Sequence, residues 1–408
     1  MLLHQITVYL YRCAIYIMFD YVIIGGGIAG LYAYEKLEER GHKNIILLEA
    51  NNYVGGRMGI DTWYEARLPI GAGIGRKTKD KLLQKLCKKH GIEMNEFEVN
   101  KDVLGDNLMQ ETELRETIKI LKNSYLETSH KELTFRQYGM EILGAPKYQR
   151  FIKSYEYTDM EKADVYETLE YYGLDDGYNG WTGLSIPWDA LLEKMIVGKR
   201  IKINAPVIKL TQVERGFAVE TDKHIYKSAN VVLAVTIDSV RRLLGNGKNR
   251  MYRQVEGQPF MRIYGKFGRE AANIMHNHVP RSCIIPNQCK RIIPMTDDVY
   301  MIAYSDNSNA NYINNHVTGN DKESREFLSG LLEKGLDINN ETVALTAIKP
   351  YYWAIGTHYM RPFMEGESYE TWIRMAQHPA PHIWVVGEAF SRNQGWVEGA
   401  LESVNAVF

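Results

Sequence analysis

Cysteine is scarce. The 408-residue chain has four, Cys13, Cys87, Cys283 and Cys289. None forms a C-x-x-C pair, which argues against both a disulfide framework and a structural zinc site. No metal site is expected. The sparse thiols point to a reducing compartment, the cytoplasm. An excess of either charge sign is also missing: 49 Lys and Arg stand against 50 Asp and Glu, for a formal charge of -1. A globally basic nucleic-acid binder is excluded, because no positive field draws phosphate. A clean apolar span is lacking too. The stretch MLLHQITVYLYRCAIYI at 1–17 carries Arg12 in its middle, at a cost of about 3 kcal/mol at the bilayer centre. It has neither the basic start nor the small-residue cleavage site of a signal peptide. It reads as an appended extension; an extra edge segment and a membrane anchor are the alternatives. Internal repeats and low-complexity tracts are absent.

What is present is an ordinary globular composition, 45% apolar and 24% charged, long enough for two or three domains with a large core. Twenty-seven tyrosines and seven tryptophans offer aromatic surface to a core or a pocket. The first strong pattern is Tyr21-Val22-Ile23-Ile24, an apolar run suited to a strand buried on both faces. It leads into Gly25-Gly26-Gly27-Ile28-Ala29-Gly30, a G-x-G-x-x-G match. Ala33, Tyr34 and Leu37 continue at helical spacing, and Gly41 suits a left-handed helix end. A second apolar run, Ile45–Leu48, ends at Glu49, about 20 residues beyond Gly27. The whole is a strand–turn–helix–strand–acid unit for a dinucleotide. Gly25 permits the tight turn, Gly27 a close approach of pyrophosphate, and Gly30 tight helix–strand packing. The N–H groups of Ile28 and Ala29 and the helix dipole face the phosphates. Glu49, followed by Ala50, accepts from ribose hydroxyls.

The fingerprint alone does not separate NAD from FAD. The next segment, Glu49-Ala50-Asn51-Asn52-Tyr53-Val54-Gly55-Gly56-Arg57, adds a second glycine pair and an arginine. Two glycines allow a second close pass of the chain, and the Arg57 fork can pair with diphosphate. Here the sequence resembles the flavin-containing amine oxidase family, which includes monoamine, polyamine and L-amino-acid oxidases. The C-terminus is similar to that family as well. Pro381-His382-Ile383-Trp384-Val385-Val386-Gly387-Glu388-Ala389 looks like its strand ending in Gly-Glu-Ala, and Gly395-Trp396-Val397-Glu398-Gly399-Ala400 like its last helix start. A third similar block runs from Gly183 to Thr236, with Thr236 where the family usually has proline.

The resemblance implies an α/β fold, a Rossmann-like FAD-binding domain interleaved with an α+β substrate-binding domain. The FAD half would use 19–80, 183–255 and 375–408, the substrate half 81–182 and 256–374, with 1–18 as extension. FAD would be held without a covalent bond, since no cysteine lies near the C-terminal motif. Its contacts would be Gly25, Gly27, Ile28, Ala29, Gly30, Glu49, Ala50, Gly55, Gly56, Arg57, Gly71, Ala72, Val207 (at the adenine), Gly387, Glu388 (at the ribityl chain), Gly395, Trp396, Val397 and Ala400. The implied reaction oxidises the C–H beside an amine nitrogen to an imine and reduces O2 to H2O2. Partners would be a small amine, polyamine or L-amino acid and O2.

For the reacting end, Trp396 is the first candidate wall. The segment Trp353–Pro362 is similar to the one that supplies the opposing aromatic, and its register leaves both His358 and Tyr359 open. The family's lysine near flavin N5 is matched by Arg262, which stays protonated and cannot act as a base; Lys266 is the alternative on the same strand face. Arg76, in Gly71-Ala72-Gly73-Ile74-Gly75-Arg76, could fork onto an amino-acid carboxylate or serve the surface or flavin side. Competing classes are a same-fold flavoenzyme on a non-amine, of desaturase or mutase type, and an FAD-bound scaffold without turnover. Elsewhere, 80–172 reads as helical. Strands are expected at Met261–Phe267, Val299–Tyr304 and Thr342–Ala347, a helix at Ser324–Lys334, and a solvated loop at Ser305–Asn320.

Overall fold

The computed structural model describes residues 18–105, 107–245, 249–363 and 368–408; the extension at 1–17 lies outside them. Met18, expected to belong to that extension, is already sheet and pairs with Lys227. Strand Met18–Ile24 is the centre of a parallel core, flanked by Ile45–Leu48 and by the end of Ile225–Leu233. Across the sheet the order is Val207–Val213, Gly216–Thr221, Ile225–Leu233, Met18–Ile24, Ile45–Leu48 and Ile201–Lys202, with Ile383–Val385 joining Ile225–Leu233. Strands from near both ends of the chain thus share one sheet.

The continuous apolar runs are explained by this placement, because each face carries its own core. Tyr21, Ile23, Ile45 and Leu47 pack under helices Ile28–Glu39, Trp188–Ile196 and Val397–Asn405. Val22, Ile24, Ile46 and Leu48 pack on the other face with Ile237–Leu244 and Tyr369–Gln377. A parallel strand covered on both sides needs apolar residues at every position.

The second large sheet runs Leu345–Met360, Val255–Phe267, Val299–Asp306, Arg291–Pro294, Cys283–Ile284 and Asp102–Val103. Its core holds residues from helices Arg269–His278, Asn307–His316 and Lys322–Gly335. The expected helix and two of the strands are there, and the third begins at Leu345 rather than at 342. The loop expected over Ser305–Asn320 is instead helix Asn307–His316. Its polar composition hid a narrow stripe: Ala310 and Ile313 are buried and, with Val317, seat the helix on the sheet. The stretch expected to be helical is also interrupted, by strands Asn95–Val99 and Asp102–Val103. The rest of it forms a helical arm from Glu111 to Glu170 with its own core around Phe135, Tyr138 and Phe151. Among the described residues no helix is long and apolar enough to cross a membrane.

One contact sets how closely the first helix sits on the first strand. A Cβ on Gly30 would stand 2.0 Å from the Gly25 carbonyl oxygen, and one on Gly25, at φ +106°, 2.2 Å from that of Ala234. Both neighbours are backbone and cannot swing aside. Gly30→Ala is expected to destabilise the protein by about 1–3 kcal/mol through overpacking, read as a lower urea midpoint. An unchanged midpoint would refute this account of the glycine.

Candidate active site

The helix Ile28–Glu39 begins at Gly27 with no capping side chain and no acid in its first turn. Its leading N–H groups and the positive end of its dipole are therefore free for an anion. Glu49 is fixed at the neighbouring strand end, where Oε2 accepts from Gly26 N at 2.7 Å and Oε1 from Asn51 N at 2.8 Å. A carboxylate has about four acceptor positions, so capacity for hydroxyl donors remains. Ala205 N donates to Glu49 O at 2.8 Å, which brings the chain leading to Val207 alongside. The Val207 side chain itself is packed in the core. The second glycine pass is as close as two glycines allow. Gly55 N donates to Gly26 O at 2.8 Å, and a Cβ on Gly56 would lie 3.4 Å from Gly27 Cα. Gly71 and Ala72 lie on the Arg57 backbone, Ala72 N donating to Arg57 O at 2.8 Å.

The C-terminal motif meets this cradle at one carboxylate. Glu388 is buried; its Oε1 accepts from Arg57 Nη1 at 2.7 Å and from His358 Nδ1 at 2.5 Å, and its Oε2 from Gly395 N at 3.1 Å. Desolvation would raise this carboxyl, but His358 and Arg57 outweigh it and bring it down to about 2. His358 Nε2 accepts from Ile237 N at 3.3 Å, which assigns the proton to Nδ1. Helix Val397–Asn405 starts after Trp396 with no capping side chain. The acid in its first turn, Glu398, is turned away to accept from Leu82 N at 2.8 Å and Leu83 N at 2.9 Å. Ala400 is buried within the helix. Two uncapped helix starts, a glycine cradle, one arginine fork and two fixed acids suit a flavin dinucleotide.

The candidates for the reacting end are placed very differently from one another. Trp396 is half-buried, and Arg76 lies 3.8 Å from its ring centroid. Arg76 is 2% exposed and fully engaged. Nε and Nη2 donate to Asp80 Oδ1 at 2.9 and 2.7 Å, and Nη1 to Asp176 Oδ2 at 3.0 Å. The carboxylate fork that the sequence offers to a substrate is already filled by the protein's own aspartates. Arg262 is buried 4.3 Å from the Tyr304 centroid, donates to Pro69 O at 3.3 Å, and reaches within 3.0 Å of where a Gly73 Cβ would be. It therefore stands against the Gly71–Gly73 turn. Lys266 shares that strand face but lies about 13 Å further along, paired with Asp298 and beside Tyr64. Tyr359 and His358 both line a small cavity beneath the helical arm. Sequence reasoning did not single out Asp159, Glu167, Gln258 or Arg392, which line it too. Asp159 and Glu167 come from the helical arm and the other two from distant stretches, and no local spacing marks them. Asp80, four residues after Arg76, was a readable sign of the ion pair.

The chain matches the family described as flavin containing amine oxidoreductase over residues 28–404. Over 79 residues it is 34% identical to an L-amino-acid oxidase of Mus musculus; that stretch is 19% of this chain and only 12% of the relative's length. Among the solved structures that share the fold are two amine oxidases. One is a triple mutant of putrescine oxidase redesigned in cofactor binding, with a TM-score of 0.74, 14% identity and coverage of 95% of this chain and 97% of that one. The other is cyclohexylamine oxidase from Brevibacterium oxydans, with a TM-score of 0.74, 13% identity and the same coverage of 95% and 97%.

Removing the Arg76 charge would leave the buried Asp80 without its counter-ion and Asp176 with Lys79 alone. Arg76→Leu is expected to cost about 3–5 kcal/mol, the usual penalty for breaking a buried pair, and to alter Trp396 fluorescence in the folded protein. Wild-type urea stability in that variant would overturn the structural role given to Arg76.

Proposed function

We propose, from the premise that this chain belongs to the flavin-containing amine oxidoreductase family, that it oxidises the C–H bond beside an amine nitrogen to an imine, with O2 as electron acceptor and H2O2 as product. FAD is the cofactor of this family. The observation that carries the reading is the meeting of Arg57, His358 and the Gly395 N–H around the buried Glu388 carboxylate, with Trp396 next along the chain from Gly395. It joins the nucleotide cradle to the aromatic expected beside the substrate.

Gly25 to Gly30, Gly55 to Arg57, Gly71, Ala72, Glu388 and the start of helix Val397–Asn405 would hold FAD. The absence of a cysteine near the C-terminal motif supports non-covalent binding, and the thiol usage supports a cytoplasmic setting. When bound, FAD supplies the acceptor for the hydride equivalents and the route of the electrons to dioxygen. The chain's own residues bind, orient and keep the site dry. Glu388 and His358 hold a proton at Nδ1, and Arg57 neutralises the carboxylate. Trp396, braced by Arg76, presents a fixed aromatic surface. Arg262 can donate to a water but cannot accept a proton; that limit favours, as a second reading, a scaffold that binds FAD without turnover. Among substrates, an amino acid loses the carboxylate partner expected of Arg76, which supports an amine.

The test is anaerobic mixing of the yellow protein with panels of amines, polyamines and L-amino acids, following the flavin band at ~450 nm. Bleaching by an amine panel is expected; a flavin that nothing bleaches would sink the oxidase reading in favour of the scaffold. Arg57→Ala is expected to lose FAD on gel filtration. Trp396→Ala should retain FAD and lose at least about tenfold in kcat/KM, on the scale of lost positioning. Full activity of Trp396→Ala would show that the ring does not face the substrate.

A further inference from the structure

The helical arm and strand Leu345–Met360 enclose a cavity of about 40 Å3 whose lining includes Asp159, Glu167, Gln258, Tyr359, Arg392 and Gln394. That volume holds one or two water-sized groups, so it suits the end of a ligand rather than a whole one. It adjoins the Trp396 segment: a Cβ on Gly395 would lie 3.3 Å from Thr357 Cγ2, and Thr357 Oγ1 accepts from Gln258 Nε2 at 3.2 Å.

Gln258 is the informative member. It is 3% exposed, and its Nε2 also donates to the Asp159 carbonyl at 2.9 Å. Two acceptors on Nε2 fix which way the amide points. Its Oε1 is buried and accepts nothing among the described residues. A buried acceptor left open beside a donor that is fully engaged has room for a donor from outside the protein.

The carboxyls around it give that donor a sign. Asp159 accepts from Tyr172 Oη. It is pushed up to about 7, first by burial and then by the neighbouring Asp306 carboxylate. Glu167 is also pushed up to about 7 by burial, beyond what Arg392 offsets, and its Oε2 accepts nothing among the described residues. Arg392 stands 3.5 Å from Glu167 Oε1 and lies over the Tyr171 ring at 4.1 Å. His358 spends its Nδ1 proton on Glu388. The lining therefore has more carboxyl than counter-charge, and an entering cation would be welcome where an anion would not.

Resting on the oxidase reading, we propose that this cavity is a subsite for a second nitrogen of the substrate, an ammonium or N–H-bearing end held by Gln258 Oε1 and the Asp159 carboxylate. The preferred substrates are diamines or polyamines rather than monoamines or amino acids.

The test uses the FAD-loaded protein with α,ω-diamines, n-alkylamines of the same chain length, and L-amino acids. Anaerobic flavin reduction gives the Kd for each, and calorimetry measures diamine binding independently. A diamine is expected to bind at least about tenfold more tightly than its matched monoamine, the scale of one charge-assisted hydrogen bond. Gln258→Leu and Asp159→Asn should each narrow that ratio towards one, whereas Gln258→Glu, which restores an acceptor of the same shape, should preserve it. The Glu variant also covers the case in which the Leu variant fails to fold. Equal bleaching by diamine and monoamine, or a preference that survives both substitutions, overturns the subsite and leaves the oxidase reading standing. Diamine binding that Gln258→Leu abolishes, with no bleaching by any amine, keeps the subsite and sinks the oxidase.

Discussion

A buried carboxylate is expensive unless positive charge and donors surround it, and Glu388 makes that requirement a constraint on the whole chain. Its partners are Arg57, His358 and the Gly395 N–H. None is close in sequence except the last. Arg57 is delivered by the loop after the second strand of the nucleotide unit, His358 by the long strand Leu345–Met360, and Glu388 by the turn after Ile383–Val385. The carboxylate is satisfied only when both sheets and the C-terminal helix are docked. The same atoms that settle its charge thereby set the relation between the nucleotide cradle and the wall that carries Gln258 and Tyr359.

A second buried charge plays a similar part directly against Trp396. Arg76 is held by Asp80 from its own turn and Asp176 from the short helix Leu174–Gly177 that follows the helical arm, and it carries the indole on its face. Burial works against the guanidinium, and the two aspartates more than restore it. Trp396 is therefore not a loose aromatic at a helix start. Its position follows from an ion pair that the fold needs in any case.

What could be read from the sequence was whatever leaves a local mark. A chain that makes two close passes by the same turn must have glycine where backbones touch, and Gly25, Gly30, Gly55 and Gly56 are such positions. Strands covered on both faces must be apolar throughout, as at 21–24 and 45–48. The fold, the family and the flavin followed from those marks. Side-chain destinations did not. A period of two puts Arg262 and Lys266 on one face, but it does not say that the lysine ends at Asp298 while the arginine faces the glycine turn. An arginine after a glycine turn reads equally as a ligand fork or as half of an ion pair; only the third dimension adds Asp176 to Asp80. The helix at Asn307–His316 rests on Ala310 and Ile313 against a sheet, a packing that outweighs its asparagine-rich surface. The cavity residues Asp159 and Glu167 of the helical arm, Gln258 and Arg392 converge from three stretches and form no motif.

The two ends of the proposed site then differ in electrostatics in a way that bears on how a substrate lies in it. At Trp396 one face of the indole is already taken by a guanidinium, so the ring's attraction for a second cation is weakened. A nitrogen reacting beside it is favoured uncharged, the form that oxidation at the adjacent C–H requires. At Asp159 and Glu167 the balance is reversed, because carboxyls short of counter-charge favour a cation. A molecule with two nitrogens would meet opposite preferences at its two ends. It would be oriented by that difference before any chemistry occurs, with the neutral nitrogen at the aromatic and the charged one in the cavity. A molecule with one nitrogen would have to choose between the end that binds it and the end that reacts. On that proposal the acidic cavity would orient as well as bind, which would give a physical reason for the structure to tolerate an unpaired buried amide oxygen at Gln258.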